Sequence, residues 1–495
     1  MGRVVSTWVK RNIIWIPTAS LRIFVNSIKL YIGKLFQLAG FSEADAQQKV
    51  ADVMEIETAI AKVSRSATEL RDPEANYHKM SFDELKKTIA GIDWDAYMKG
   101  LGIQAPAELN VEQVEPIQEV ARLMNTLPLS KHVSYLEYNL LDAAASCLSD
   151  DFVAARFDFY GKVLSGRQVN QPRWKRAVNS VNGMLGELVG EMYVEKYFPA
   201  AAKERMVKLV KNLQTALGER IDAQEWMSDS TKIRAHEKLA TFHVKVGYPD
   251  KWKDYSKLEI KNDSYWANVC RASEWGFNDM YSRIGKPVDK DEWLMTPQTV
   301  NAYYNPSTNE ICFPAAILQP PFFNMEADDA ANYGAIGVVI GHEMTHGFDD
   351  QGRQFDKDGN LTDWWAPGDA DRFKERAQVM VDFFNKIEVL PGLQANGELT
   401  LGENLADHGG LNVAYLAFQN ATKDAPLGVV DGFTPEQRFF LAYATLWAGN
   451  IRDEQIRVYT KSDPHSLGKW RVNGALPHIQ AWYEPSTSHR LIRCM

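Results

Sequence analysis

Cysteine is scarce in this chain. Cys147, Cys270, Cys312 and Cys494 lie far apart among 495 residues, with neither the paired spacing of a metal or redox motif nor the density of a disulfide scaffold. Basic charge is in the minority as well: 55 Lys and Arg stand against 64 Asp and Glu, a formal net charge of −9. Beyond the first forty residues there is no basic block, and no Gly-rich phosphate loop occurs, so nucleic acid is not an expected partner. No apolar run reaches the roughly 20 residues of a membrane helix, because Pro17 and Arg22 interrupt the stretch from Ile13 to Val25. Internal repeats and low-complexity tracts are also missing. What remains is 45% hydrophobic, enough at this length to bury two substantial cores, so two domains are expected.

Against that background the run His342-Glu343-Met344-Thr345-His346, preceded by the apolar stretch Tyr333 to Gly341, carries the chemistry. Residues i and i+4 of a helix share a face, so both imidazoles can meet one metal ion. Glu343 points to the side of that pair, where a carboxylate can take a proton from water. The motif alone is moderately specific, and two histidines are one ligand short of a catalytic zinc site, which has three protein ligands and an open position. His236-Glu237 is no second copy, since position 240 is Ala.

The missing carboxylate is sought in Leu401-Gly402-Glu403-Asn404-Leu405-Ala406-Asp407-His408-Gly409-Gly410. Glu403 and Asp407 are again spaced i, i+4, so one face can present a ligand and, a turn later, a group to hold a ligand histidine. The alternative for this pair is a solvated acidic first turn favoured by the helix dipole.

The segment Val300-Asn301-Ala302-Tyr303-Tyr304-Asn305 through Ile311 to Phe323, the HEMTHGFDDQGR block and GENLADHGG closely resemble neprilysin-like zinc endopeptidases. That family contains neprilysin, endothelin-converting enzyme and the bacterial oligopeptidase O type. The resemblance runs over roughly residues 35 to 485 and includes Arg71-Asp72-Pro73, the Val181 to Phe198 helix and Val288 to Trp293. It implies a mainly α fold with a small β component (α+β): a thermolysin-like zincin catalytic domain plus a helical capping domain that keeps folded proteins from the site. It implies one zinc ion per chain, with His342, His346 and Glu403 as ligands, Glu343 as general base and Asp407 as the partner of His342. His465 matches the family's transition-state histidine and Arg471 its substrate-carbonyl arginine. Read without the resemblance, these two are a loop histidine and a surface charge. Asn301 and Ala302 match the strand that binds substrate backbone. Ile317, Phe322, Val338, Val339, Leu446 and Trp447 match the pocket after the scissile bond, although core packing is the commoner fate of such residues. The expected activity is cleavage of oligopeptides on the amino side of bulky apolar residues. The low cysteine content resembles bacterial rather than animal members, and family likeness places the expected site of action outside the cytoplasm, in the periplasm or at the cell surface.

Helical periodicity covers Ala44 to Ser64, Val111 to Leu127, Ala200 to Ile221 and Thr434 to Ala448, while Phe242 to Val246 and a hairpin within Thr299 to Cys312 read as strands. Asp356-Lys357-Asp358-Gly359-Asn360 reads as a Gly-containing turn, its glycine too early for a calcium loop. The expected division is a helical domain over 35–265 and a catalytic domain over 266–485, flanked by an atypical segment 1–34 and a divergent tail 486–495. The first segment carries Arg3, Lys10, Arg11, Arg22, Lys29 and Lys34 but no acid, which suits an interfacial cationic helix, a presequence, or a truncated or frame-shifted start. Membrane association is expected only through that end. The unmatched ends also support a second expectation: an inactive or unstable fragment that binds zinc or peptide without turnover.

Overall fold

A computed structural model describes residues 19–484, with side-chain burial from residue 24. Residues 1–18 of the expected N-terminal segment, and the tail 486–495, lie outside the described residues. The fold is mainly α with a small β component. Among the described residues no helix is long and apolar enough to cross a membrane.

The chain forms two compact units. The first takes the described residues up to Ser180, with Tyr255–Val288 and Arg452–Ser462. Its helices α1 (Ala19–Leu38) and α2 (Glu43–Val63) are joined through Gly40, whose φ of 96° suits glycine. Ser42 caps α2 by accepting from Asp45 N–H, and Glu43 and Asp45 sit in its first turn, where they complement the dipole. Ile28, Tyr31, Ile32, Leu35 and Phe36 fall at i, i+3, i+4, i+7 and i+8 of α1 and are all buried. They share a core with Val53 of α2 and with Tyr138 of α3 (Leu129–Ala144). Over residues 28–36 this apolar stripe is therefore covered by protein. A two-stranded antiparallel ribbon, β1 (Lys79–Ser81) with β2 (Glu108–Asn110), completes the elements of interest in this unit.

The second unit takes Val181–Asp254, Asp289–Ile451 and the described residues from Asp463 on. Residues 181–254, expected in the helical domain, therefore pack with the motif-bearing region. The reason is α4 (Ala200–Asp222), whose Met206, Leu209, Val210, Leu213 and Leu217 share one core with Leu411, Val413, Ala414 and Phe418. The expected Val181 to Phe198 helix is interrupted at Leu185, which separates Arg173–Met184 from Gly186–Tyr197. After α4 come α5 (Asp229–Ala240) and strands β3 (His243–Gly247), β4 (Tyr303–Asn305) and β5 (Glu310–Pro314). The sheet order is β3–β5–β4, with β3 parallel and β4 antiparallel to β5. The hairpin read from the sequence is thus present, and β4 is an edge strand. The Asp356–Asn360 turn is present as well, with Gly359 at φ 89° and a bridge between Phe355 and Leu361.

Candidate metal centre

The two histidines of the motif lie on α6 (Val338–His346). Asp328 caps the helical run leading into it by accepting from Ala331 N–H at 3.0 Å, and the turn Tyr333–Gly337 is widened to i→i+5 bonding, a feature frequent at functional sites. The carboxylates lie on α7 (Leu401–Thr422). Gly341 and Gly410 let the two helices touch backbone to backbone. A Cβ on Gly341 would stand 2.9 Å from Gly410 O, and one on Gly410 would stand 2.7 Å from both His342 N and Val338 O. That close crossing brings Glu403 and Asp407 against His342.

His342 Nδ1 lies 2.9 Å from Asp407 Oδ1, and His346 Nδ1 lies 2.7 Å from Asp349 Oδ2. Carboxylates only accept, so each holds a ring proton on Nδ1 and leaves Nε2 as the nitrogen a metal can take. Those two Nε2 atoms are 3.0 Å apart. Glu403 Oε2, buried and without a hydrogen-bond partner, is 3.2 Å from His342 Nε2 and 3.7 Å from His346 Nε2. Three atoms able to ligate a metal thus converge. A tetrahedral zinc ion with bonds of about 2.0–2.1 Å separates its donors by roughly 3.3 Å, so the set suits that ion. Glu343 is buried beside them, and His342, Glu343 and His346 can each offer a ligating atom within 4.8 Å of the others.

Burial opposes charge on Glu403, yet the neighbouring His346 and His342 hold its carboxyl well below the usual carboxylate range. Asp407 is likewise penalised by burial and likewise lowered, by the adjacent Arg471 cation and the His342 hydrogen bond. Arg471, on α9 (Gly468–Asn473), grips Asp407 with two bonds, Nε to Oδ2 at 2.8 Å and Nη2 to Oδ1 at 2.6 Å. Its guanidinium lies 3.8 Å over the ring of Trp447. A surface charge is therefore not what Arg471 is. His465 is half exposed, held by Asp463 Oδ1 at 2.7 Å on Nδ1, with Nε2 only 3.4 Å from Glu403 Oε2.

A cavity of about 470 Å³ opens on these residues. Asn301 and Ala302, just before edge strand β4, line it together with Ile317, Phe322, Val338, Val339 and Trp447. Leu446 is not among the residues that line it. It is the last residue of α8 (Pro435–Leu446), and Trp447 is its C-cap. Two residues that sequence reading passed over belong to the site: Asp349 and Asp463, each holding a histidine. Their spacing, three after His346 and two before His465, was the available signal.

The class defined by this fold and site is matched by relatives. Sequence models described as Peptidase family M13 match residues 18–249 and 301–487. The chain belongs to Peptidase family M13. The match begins inside the segment 1–34 that sequence reading left outside the family. The chain is 33% identical over 472 residues to an endothelin-converting enzyme homolog of Locusta migratoria, covering 91% of this chain and 64% of that protein. It is 34% identical over 469 residues to endothelin-converting enzyme 1 of Rattus norvegicus, covering 92% and 61%. The chain thus spans about three fifths of the length of these curated relatives. Among solved structures, the Mycobacterium tuberculosis zinc metalloprotease Zmp1 in complex with an inhibitor superposes with a TM-score of 0.91 at 37% identity, covering 97% of this chain and 75% of that one. PepO from Lactobacillus rhamnosis HN001 gives a TM-score of 0.88 at 26% identity, covering 99% and 78%.

Proposed function

We propose that the chain is a zinc-dependent endopeptidase acting on oligopeptides, with His342, His346 and Glu403 as the ligands of one zinc ion. The observation that carries this reading is the convergence of His342 Nε2, His346 Nε2 and Glu403 Oε2, each ring held at Nδ1 by an aspartate behind it. When bound there, zinc supplies Lewis-acid polarisation and lowers the pKa of water to about 7. Glu343, buried at the cavity wall, takes the proton from the attacking water and passes it to the leaving amine. His465 donates to the oxyanion of the scissile carbonyl, its ring oriented by Asp463. Arg471 reaches the substrate carbonyl on the far side while Asp407 fixes its plane. Asn301 and Ala302 pair with substrate backbone beside the edge strand, and Phe322, Ile317, Val338, Val339 and Trp447 receive a bulky apolar residue after the scissile bond. Family resemblance supports an extracytoplasmic setting.

The test is a quenched fluorescent peptide with Phe or Leu after the scissile bond, incubated with the zinc-loaded chain with and without a chelator. Cleavage at that bond, lost on chelation and restored by zinc, is expected. Stoichiometric zinc without cleavage would overturn the endopeptidase reading in favour of a peptide-binding fragment.

A further inference from the structure

Lys238, near the end of α5, is fully buried at 0% exposure. Its Nζ donates to Gly347 O and Gly352 O, each at 2.7 Å, and to Phe355 O at 2.6 Å. The rings of Trp364, Phe348 and Tyr304 lie 5.6, 5.7 and 5.9 Å from the same nitrogen. An ammonium has three donors and no acceptor, so three carbonyls saturate it, and the rings add cation–π attraction. Burial pushes this amine down to about 7, so it keeps all three donors only while the three carbonyls stay in place to accept them. Lys238 therefore demands that these carbonyls hold one arrangement.

Two of those carbonyls are the ends of the loop 347–352 that follows the metal helix. Between them lies Asp349, with both oxygens engaged. Oδ1 accepts from Gln351 N–H at 2.9 Å and Gly352 N–H at 2.7 Å, and Oδ2 meets His346 Nδ1 at 2.7 Å. The loop returns so tightly that a Cβ on Gly352 would stand 1.7 Å from His346 O. One ammonium thus pins both ends of a loop whose central carboxylate holds the ring of His346.

We infer that Lys238 is a positioning residue for the metal centre: it fixes the loop 347–352 and, through Asp349, the orientation of His346. This rests on the metal-site reading above. No sequence motif marks it, since Lys238 lies more than a hundred residues before the histidines.

The test is zinc affinity, measured by competition with a fluorescent chelator on the full chain. Lys238→Met and Asp349→Asn should each weaken zinc about 10- to 100-fold, the usual effect of losing a group that orients a ligand. The double variant should be within about twofold of the weaker single, because both act on one arm. Leu209→Ala, a cavity in the shared core, should lower the melting temperature yet leave zinc affinity within about twofold. If Lys238→Met proves unfolded by circular dichroism, Lys238→Gln, which keeps an amide donor, is read in the same titration. Wild-type zinc affinity in the folded Lys238 variant, or effects that multiply in the double variant, would overturn the inference. Wild-type protein that binds zinc but cleaves no peptide would sink the proposed activity alone, because the zinc coupling is read without turnover.

Discussion

His342 Nε2 and His346 Nε2 stand 3.0 Å apart with their opposite nitrogens held by Asp407 and Asp349. Two ring nitrogens this close to each other and to the Glu403 carboxylate favour a cation bound among them. Metal removal is therefore expected to destabilise the second unit. Thermal melts of the chelated chain should show a lower midpoint, with zinc restoring it in a concentration-dependent way. A midpoint indifferent to zinc would count against the ligand assignment.

Glu343→Gln removes the base and keeps a similar shape. Zinc content should be unchanged, while kcat falls by about 10²- to 10⁴-fold, the usual contribution of general-base catalysis. Retained turnover would show that another group moves the proton. Glu403→Ala should do the reverse and act first on the metal, readable as loss of zinc on dialysis.

Asp407 and Arg471 form a buried pair, with the side chains 3% and 9% exposed. Removing one partner strands the other, at about 3–5 kcal/mol. Asp407→Ala is expected to show that loss in urea unfolding of the metal-free chain, and adding Arg471→Met should recover part of it. A single-variant cost under about 1 kcal/mol, the range of a surface pair, would contradict the burial described.

Gly341 and Gly410 leave no room for a methyl at the α6–α7 crossing. Gly410→Ala should force the helices apart, cost at least about 1–3 kcal/mol as overpacking does, and weaken zinc along with it. Normal stability and zinc binding in that variant would show that the crossing can relax.

Val339 lines the apolar side of the cavity. Val339→Phe should shrink it, so that cleavage before Phe or Leu drops by about 10-fold or more relative to cleavage before Ala. Comparison of kcat/KM across a matched peptide series reads this directly, and an unchanged ranking would remove Val339 from the specificity pocket.

The helices over 43–63, 200–222 and 435–446 and the hairpin at 303–314 were legible, because local periodicity and turn residues carry such elements. The histidine pair was legible for the same reason: i, i+4 spacing on a helix is a local fact. The place of residues 181–254 was not, since it depends on α4 finding its apolar partners on α7, some two hundred residues later. Nor was the burial of 28–36, whose apolar stripe reads alike whether it faces lipid or protein. Arg471 looked like a surface charge until the fold set Asp407 beside it.

By itself the sequence determined the metal motif, the two i, i+4 donor pairs and the family resemblance, because these need only residue type and short spacing. Tertiary structure decided which aspartate stands behind each imidazole, how close Glu403 comes to both Nε2 atoms, and which side chains line the cavity. Those outcomes depend on Asp349 folding back onto His346, on two glycines letting α6 and α7 touch, and on Lys238 pinning a loop that it meets only in the folded chain.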